Sequence, residues 1–211
     1  MQGPLCCLWP SVTSCASDDV SIRPTELANL LQQHLRLEAE ERLYGVVDGA
    51  QDYALAFEAL KDFQSAIRPL FEGESAGRLN LVAPYLVPID PNSGYLERWA
   101  ARWGNHVGIL LASRVDNEML YAHLRKIFIA EDERGQEYFF RFYDPRVLRV
   151  YLPTCTADEA EEFFGPIRRI AVEGDDPETL LDCTPDSKGA HIEQRRLNQS
   201  GGLIATVGKG P

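Results

Sequence analysis

The chain has no apolar run approaching the roughly 20 residues a membrane-spanning helix requires, which excludes a helical span. Positive charge is scarce: 21 Lys and Arg stand against 32 Asp and Glu, a net charge of −11. Phosphate backbones and anionic lipid surfaces both demand clustered positive charge, so neither nucleic acid nor membrane is expected as a partner. Histidine is limited to four residues, with no HExxH and no paired spacing, and no metal or other cofactor is expected. The five cysteines (Cys6, Cys7, Cys15, Cys155 and Cys183) are odd in number and form no CxxC pair. They read as free thiols of a reducing cytosol. The first 19 residues lack Lys and Arg, so they do not form the positive head of a secretory signal. Residues 1–22 are expected to be a disordered leader, and the location expected for the protein is the cytoplasm.

What remains is ordinary globular material. At 211 residues, 45% hydrophobic and 25% charged, the chain can bury a full core without disulfides or metal. The acid excess is uneven: residues 156–186 hold 10 acidic and 2 basic side chains, net −8 of the total −11. Such a stretch reads first as a solvated face.

Periodicity alternates between helix and strand. Leu27, Leu30, Leu31 and Leu35 mark one helical face behind Thr25 as a cap. Leu43–Val47 reads as a buried strand ending at Asp48-Gly49. Tyr53, Phe57, Leu60 and Gln64 continue a second helix, and Pro69–Phe71 reads as a short strand. Leu79–Ile89 is strand-like but broken by Pro84 and Pro88, which favours an edge strand or a kinked pair of strands. Leu96, Trp99, Ala100 and Trp103 follow helical spacing up to Gly104. Val107–Leu111 is strand, Asp116–Lys126 helix, and Ile127–Ala130 with Tyr138–Tyr143 a hairpin. Asp144-Pro145 opens another helix, Asp as cap and Pro at the first position. A helix at Ala157–Phe164 and a strand at Ile167–Val172 follow. The fold class predicted is α/β (α+β): one mixed-sheet domain over residues 23–172 flanked by helices, with a short polar appendage, 173–211, that packs weakly.

Three features compete for function. Gly73-Glu74-Ser75-Ala76-Gly77 matches GxSxG, in which a strand-to-helix elbow exposes a nucleophilic serine. The residues that follow are strand-like and meet Pro84 where a helix should run, so a serine hydrolase using Ser75 is the lesser reading. Gly202–Lys209 fails as a phosphate loop because its glycine spacing is wrong and no Ser or Thr follows Lys209. The third feature is Tyr138-Phe-Phe-Arg-Phe-Tyr-Asp-Pro-Arg146, five aromatics in six positions around Arg141. Strand alternation would place Tyr138, Phe140 and Phe142 on one face and Phe139, Arg141 and Tyr143 on the other. Arg141 then needs an acidic or carbonyl partner. The segment reads as a packed core signature first, and as an aromatic–Arg binding platform second.

Phe140-Arg-Phe-Tyr-Asp-Pro-Arg-Val-Leu-Arg149, followed by Tyr151-Leu-Pro153, closely resembles the signature of the Tap-type adaptor (effector chaperone) family of bacterial type VI secretion systems, a domain long catalogued as of unknown function. Further pieces agree in order from Leu43-Tyr-Gly-Val-Val-Asp48-Gly49 through Ala83–Val87, Trp103-Gly104 and Gly108–Ser113 to Phe164-Gly-Pro-Ile167. The resemblance implies a non-enzymatic protein with no catalytic residue, one that holds a toxic effector in the cytoplasm and helps load it onto a VgrG-like spike protein. It marks Arg141, Phe142, Tyr143, Asp144, Pro145 and Arg146 as partner-binding or core-signature residues. The short polar end departs from family members that carry a longer C-terminal region.

Overall fold

The computed structural model describes residues 22–35, 38, 40–71, 82–131, 134–197 and 203–206. Its helices are α1 (Pro24–His34), α2 (Tyr53–Phe63), α3 (Tyr95–Ala100), α4 (Asn117–Phe128), α5 (Pro145–Tyr151) and α6 (Ala157–Phe164). Its strands are β1 (Arg42–Asp48), β2 (Arg68–Pro69), β3 (Pro84–Ile89), β4 (Gly108–Ser113), β5 (Ile129–Glu131), β6 (Glu137–Phe139), β7 (Ile167–Glu173), β8 (Thr179–Asp186), β9 (Gly189–Leu197) and β10 (Leu203–Thr206). Eight strands form one sheet in the order β10-β9-β8-β7-β4-β1-β3-β2, and β5-β6 form a separate hairpin. Every pairing is antiparallel.

Both faces of the sheet are covered. On one, Leu27 and Leu31 of α1, Leu55 and Ala59 of α2, and Tyr95 and Trp99 of α3 meet Leu43, Val47, Val87 and Leu110. On the other, Leu120, Leu124 and Phe128 of α4, Leu148 of α5 and Phe163 of α6 meet Tyr44, Val46, Ile109, Leu111 and Ile170. An antiparallel sheet with one wet face would alternate apolar and polar residues. Burial on both sides explains why β4 reads as an unbroken Gly-Ile-Leu-Leu-Ala-Ser, buried at all six positions. Pro84 stands at the first position of β3, and Pro88 lies beyond the two residues that β2 pairs, so neither missing N–H interrupts a three-strand ladder.

The predicted α/β class holds, but the sheet is antiparallel throughout where the prediction is a mixed one, and four further details differ. The appendage is no appendage: β8 and β9 pair along their whole length and extend the sheet past β7, with Leu180, Cys183 and Leu197 in the two cores. Its polar composition misled because outer strands bury fewer side chains than central ones. Second, α1 is preceded by Arg23 with Pro24 in its first turn and no side-chain cap, while the Thr25 hydroxyl donates to Glu97 on α3. Third, α2 ends at Phe63, one residue before Gln64, which opens a short 3-10 turn; Tyr53, Phe57 and Leu60 are exposed, and Leu55, Ala56 and Ala59 meet the sheet. Fourth, β6 ends at Phe139, and the turn that follows buries both Phe142 and Tyr143 instead of placing them on opposite faces.

Capping follows the local chemistry. Thr156 and Glu159 form a capping box at the start of α6, each side chain receiving the other residue's backbone N–H. Thr156→Ala is expected to lower stability by about 1 kcal/mol, read as a shifted denaturation midpoint in urea; an unchanged midpoint would show that the cap contributes nothing to global stability.

Candidate functional site

The segment singled out by its aromatics and arginines comes to rest over the end of β1. The Asp48 side chain, only 2% exposed, receives Arg141 Nη2–H at 2.9 Å on Oδ2 and the Ala50 N–H at 3.0 Å on Oδ1. The Asp144 carboxylate, 4% exposed, caps α5 by accepting the Arg146 N–H at 3.0 Å. It also takes a two-pronged hydrogen bond from the Arg146 guanidinium, Nε to Oδ1 at 2.9 Å and Nη2 to Oδ2 at 2.8 Å. Arg141 Nη2 lies 3.4 Å from Asp144 Oδ2, so one arginine bridges both buried acids.

Burial disfavours the charged form of Asp144, yet the Arg146 side chain and N–H, and then the charge of Arg141, outweigh it and hold the carboxyl below its ordinary pKa. Burial foremost, then the nearby Asp48 charge, pushes the Tyr143 phenol upward. The two carboxylates lie beneath the surface, while the Arg141 and Arg146 side chains remain 47% and 49% exposed. The arrangement is a rigid, charge-balanced clamp with its cationic groups outermost.

The six predicted residues therefore divide. Phe142, Tyr143, Asp144 and Pro145 are buried, and Phe142 packs edge-on against Phe163 and against Tyr143. Arg141 and Arg146 face solvent. Asp48 was legible only as a turn residue; its role as a buried acid depends on Arg141, 93 positions away.

The same end of the sheet gathers a second polar group that sequence reading assigned to solvent. Glu173, ending β7, is buried, receives the Gly104 N–H and lies 2.5 Å from His106 Nδ1. Arg149 of α5 donates to the Glu173 carbonyl at 3.0 Å and pairs with Asp175 at 2.8 Å. At the far side of the molecule, His34 of α1 sits 3.2 Å from the buried Asp182 of β8, which Arg169 of β7 also approaches at 3.4 Å. These contacts pin helices to the sheet.

The acidic stretch 156–186 forms no single face. Asp158, Glu159, Glu161 and Glu162 lie on α6, and Asp175, Asp176 and Glu178 lie in the β7–β8 turn. Asp186 ends β8, which spans roughly 25 Å. Glu173 and Asp182 are buried and paired. The Gly73–Gly77 motif with Ser75, residues 1–21 with Cys6, Cys7 and Cys15, and most of Gly202–Lys209 lie outside the described residues. Cys155 and Cys183 are buried free thiols, and burial foremost raises the pKa of each. Among the described residues no cluster of His, Cys, Asp and Glu has the geometry of a metal centre, and no helix is long and apolar enough to cross a membrane.

Fold and site together define a three-layer antiparallel α/β domain that carries a surface arginine pair seated on buried acids. The chain belongs to the family described as Domain of unknown function (DUF4123), which it matches over residues 43–162. That span contains Asp48, Arg141, Asp144 and Arg146. No curated protein and no solved structure matches the chain.

Proposed function

We propose that this protein is a cytoplasmic, non-enzymatic adaptor of a bacterial type VI secretion system, binding a toxic effector and helping load it onto a VgrG-like spike protein. The observation that carries the reading is the segment Phe140–Pro153, whose sequence resembles the adaptor signature and whose Arg141 and Arg146 stand half-exposed on two buried carboxylates. Arginine held in one orientation loses little further freedom on binding, which suits a protein-recognition surface. The implied mechanism is reversible protein–protein contact with no bond made or broken.

Co-expression with the products of the two flanking genes tests the reading, an effector and a VgrG-like spike protein being expected there. A complex with one or both is expected to survive size-exclusion chromatography. Failure to bind either protein, or fluorophosphonate labelling that disappears in Ser75→Ala, would overturn it.

A further inference from the structure

The outer face of α5 carries an unexplained pairing of residues. Arg146 and Val150, at i and i+4, share one side of the helix. Val150 is 73% exposed, in a helix where a β-branched residue without packing has no local advantage. The Asp144 fork engages Nε and Nη2 of Arg146, and the half-exposed guanidinium has no further partner among the described residues. Arg141 stands beside it on the same two acids. Asp48 and Asp144 are buried, so the groups that meet an approaching molecule here are guanidinium edges and one apolar side chain. Asp175, the exposed acid that reaches α5, is tied to Arg149. The cluster is charge-balanced, and its cationic groups are the ones turned toward solvent.

We propose that the α5 face formed by Arg141, Arg146 and Val150 docks a carboxylate-bearing segment of the partner protein. The partner's acid meets the planar donors of Arg146 and Arg141, and an apolar side chain covers Val150. The inference rests on the adaptor reading and adds to it the surface and the chemistry of the partner. Guanidinium matches carboxylate in plane and donor spacing, and here its orientation is already set by Asp144. Phe142, Tyr143 and Pro145 hold the platform from below and do not reach the partner.

The test measures the affinity of the full chain for the products of the two flanking genes, using four variants. Val150→Asp, which removes no intrachain hydrogen bond or ion pair, is expected to weaken binding to one of them by at least about tenfold, through like-charge repulsion. Val150→Lys is expected to bind that partner at least as tightly as the unaltered chain. Arg146→Lys keeps the charge but loses the planar fork, and is expected to fall between the unaltered chain and Val150→Asp. Arg114→Glu, at an equally exposed arginine paired with Glu38 elsewhere on the surface, is expected to change nothing. Equal weakening by Val150→Asp and Val150→Lys, or none by either, overturns the docking face while leaving the adaptor reading standing. An unaltered chain that binds neither protein overturns both.

Discussion

Trp99→Ala is expected to cost about 3–5 kcal/mol of folding stability, the range for emptying a buried aromatic site. Trp99 is 1% exposed and lies between α3 and the middle of the sheet. Its ring occupies space that two strand glycines leave open: a Cβ on Gly45 would fall 2.7 Å from Trp99 Cζ3, and one on Gly108 would fall 3.1 Å from Cη2. Gly108 also has φ +151° and no room beside the Val46 carbonyl oxygen. The strands and the tryptophan are thus fitted to one another, and an alanine leaves a cavity that rigid backbone on the sheet side cannot close. Against a total stability of roughly 5–15 kcal/mol for a domain, this loss threatens folding at physiological temperature. Guanidinium denaturation reads it directly, and a loss below about 1 kcal/mol would show that the sheet relaxes into the space.

The second large effect is expected at Asp144. Asp144→Ala removes a helix cap and two charge-assisted hydrogen bonds at once, and is expected to destabilise by about 2–3 kcal/mol. It also releases Arg146 and loosens Arg141, so partner affinity should fall together with stability. Asp144→Asn separates the contributions, since asparagine caps well but carries no charge. The pH dependence has a definite sign. The folded-state pKa of Asp144 lies below its unfolded value, so the stabilisation is complete above the unfolded pKa and disappears as pH falls through the folded one. The unaltered protein should therefore lose stability on acidification below about pH 4 more steeply than Asp144→Asn. Parallel acid-denaturation curves would show that the charge of Asp144 is not coupled to folding.

Much of the architecture was legible because it depends on local rules. Asp144 followed by Pro145 states a helix start in two residues, and the structure uses both. Leu27, Leu31 and Leu35 repeat at helical spacing and are buried. The hairpin around residues 131–137 follows from a polar turn between apolar runs. The helix α2 was legible, but its buried face was not: Leu55, Ala56 and Ala59 meet the sheet, while the larger Tyr53 and Phe57 face water. Tyr53 and Phe57 stack on each other at the surface, which hides part of their area from water.

The candidate site was half legible. Arg141, Asp144 and Arg146 stood out because an aromatic run seldom carries charge without a partner. The partner acid did not stand out: Asp48 precedes a glycine, and that dipeptide reads as a turn whatever lies above it. Glu173 and Asp182 were missed for the same reason. An acid within an acidic stretch gives no local sign that it will be buried against His106 or His34.

The sequence by itself determined the alternation of helices and strands, the cap of α5 and the cationic character of its first turn. These depend on backbone propensity and on neighbours within a few residues. Only the tertiary structure decided which acids are buried, which face of α2 meets water, and that residues 179–197 extend the sheet past β7. Those outcomes turn on contacts between residues far apart in the chain, and on how closely two surfaces can approach. The −11 charge illustrates the difference. The sequence placed most of it in residues 156–186, whereas folding distributed those acids among α6, a turn, the end of β8 and two buried contacts with histidine, and left arginines on the face proposed for binding.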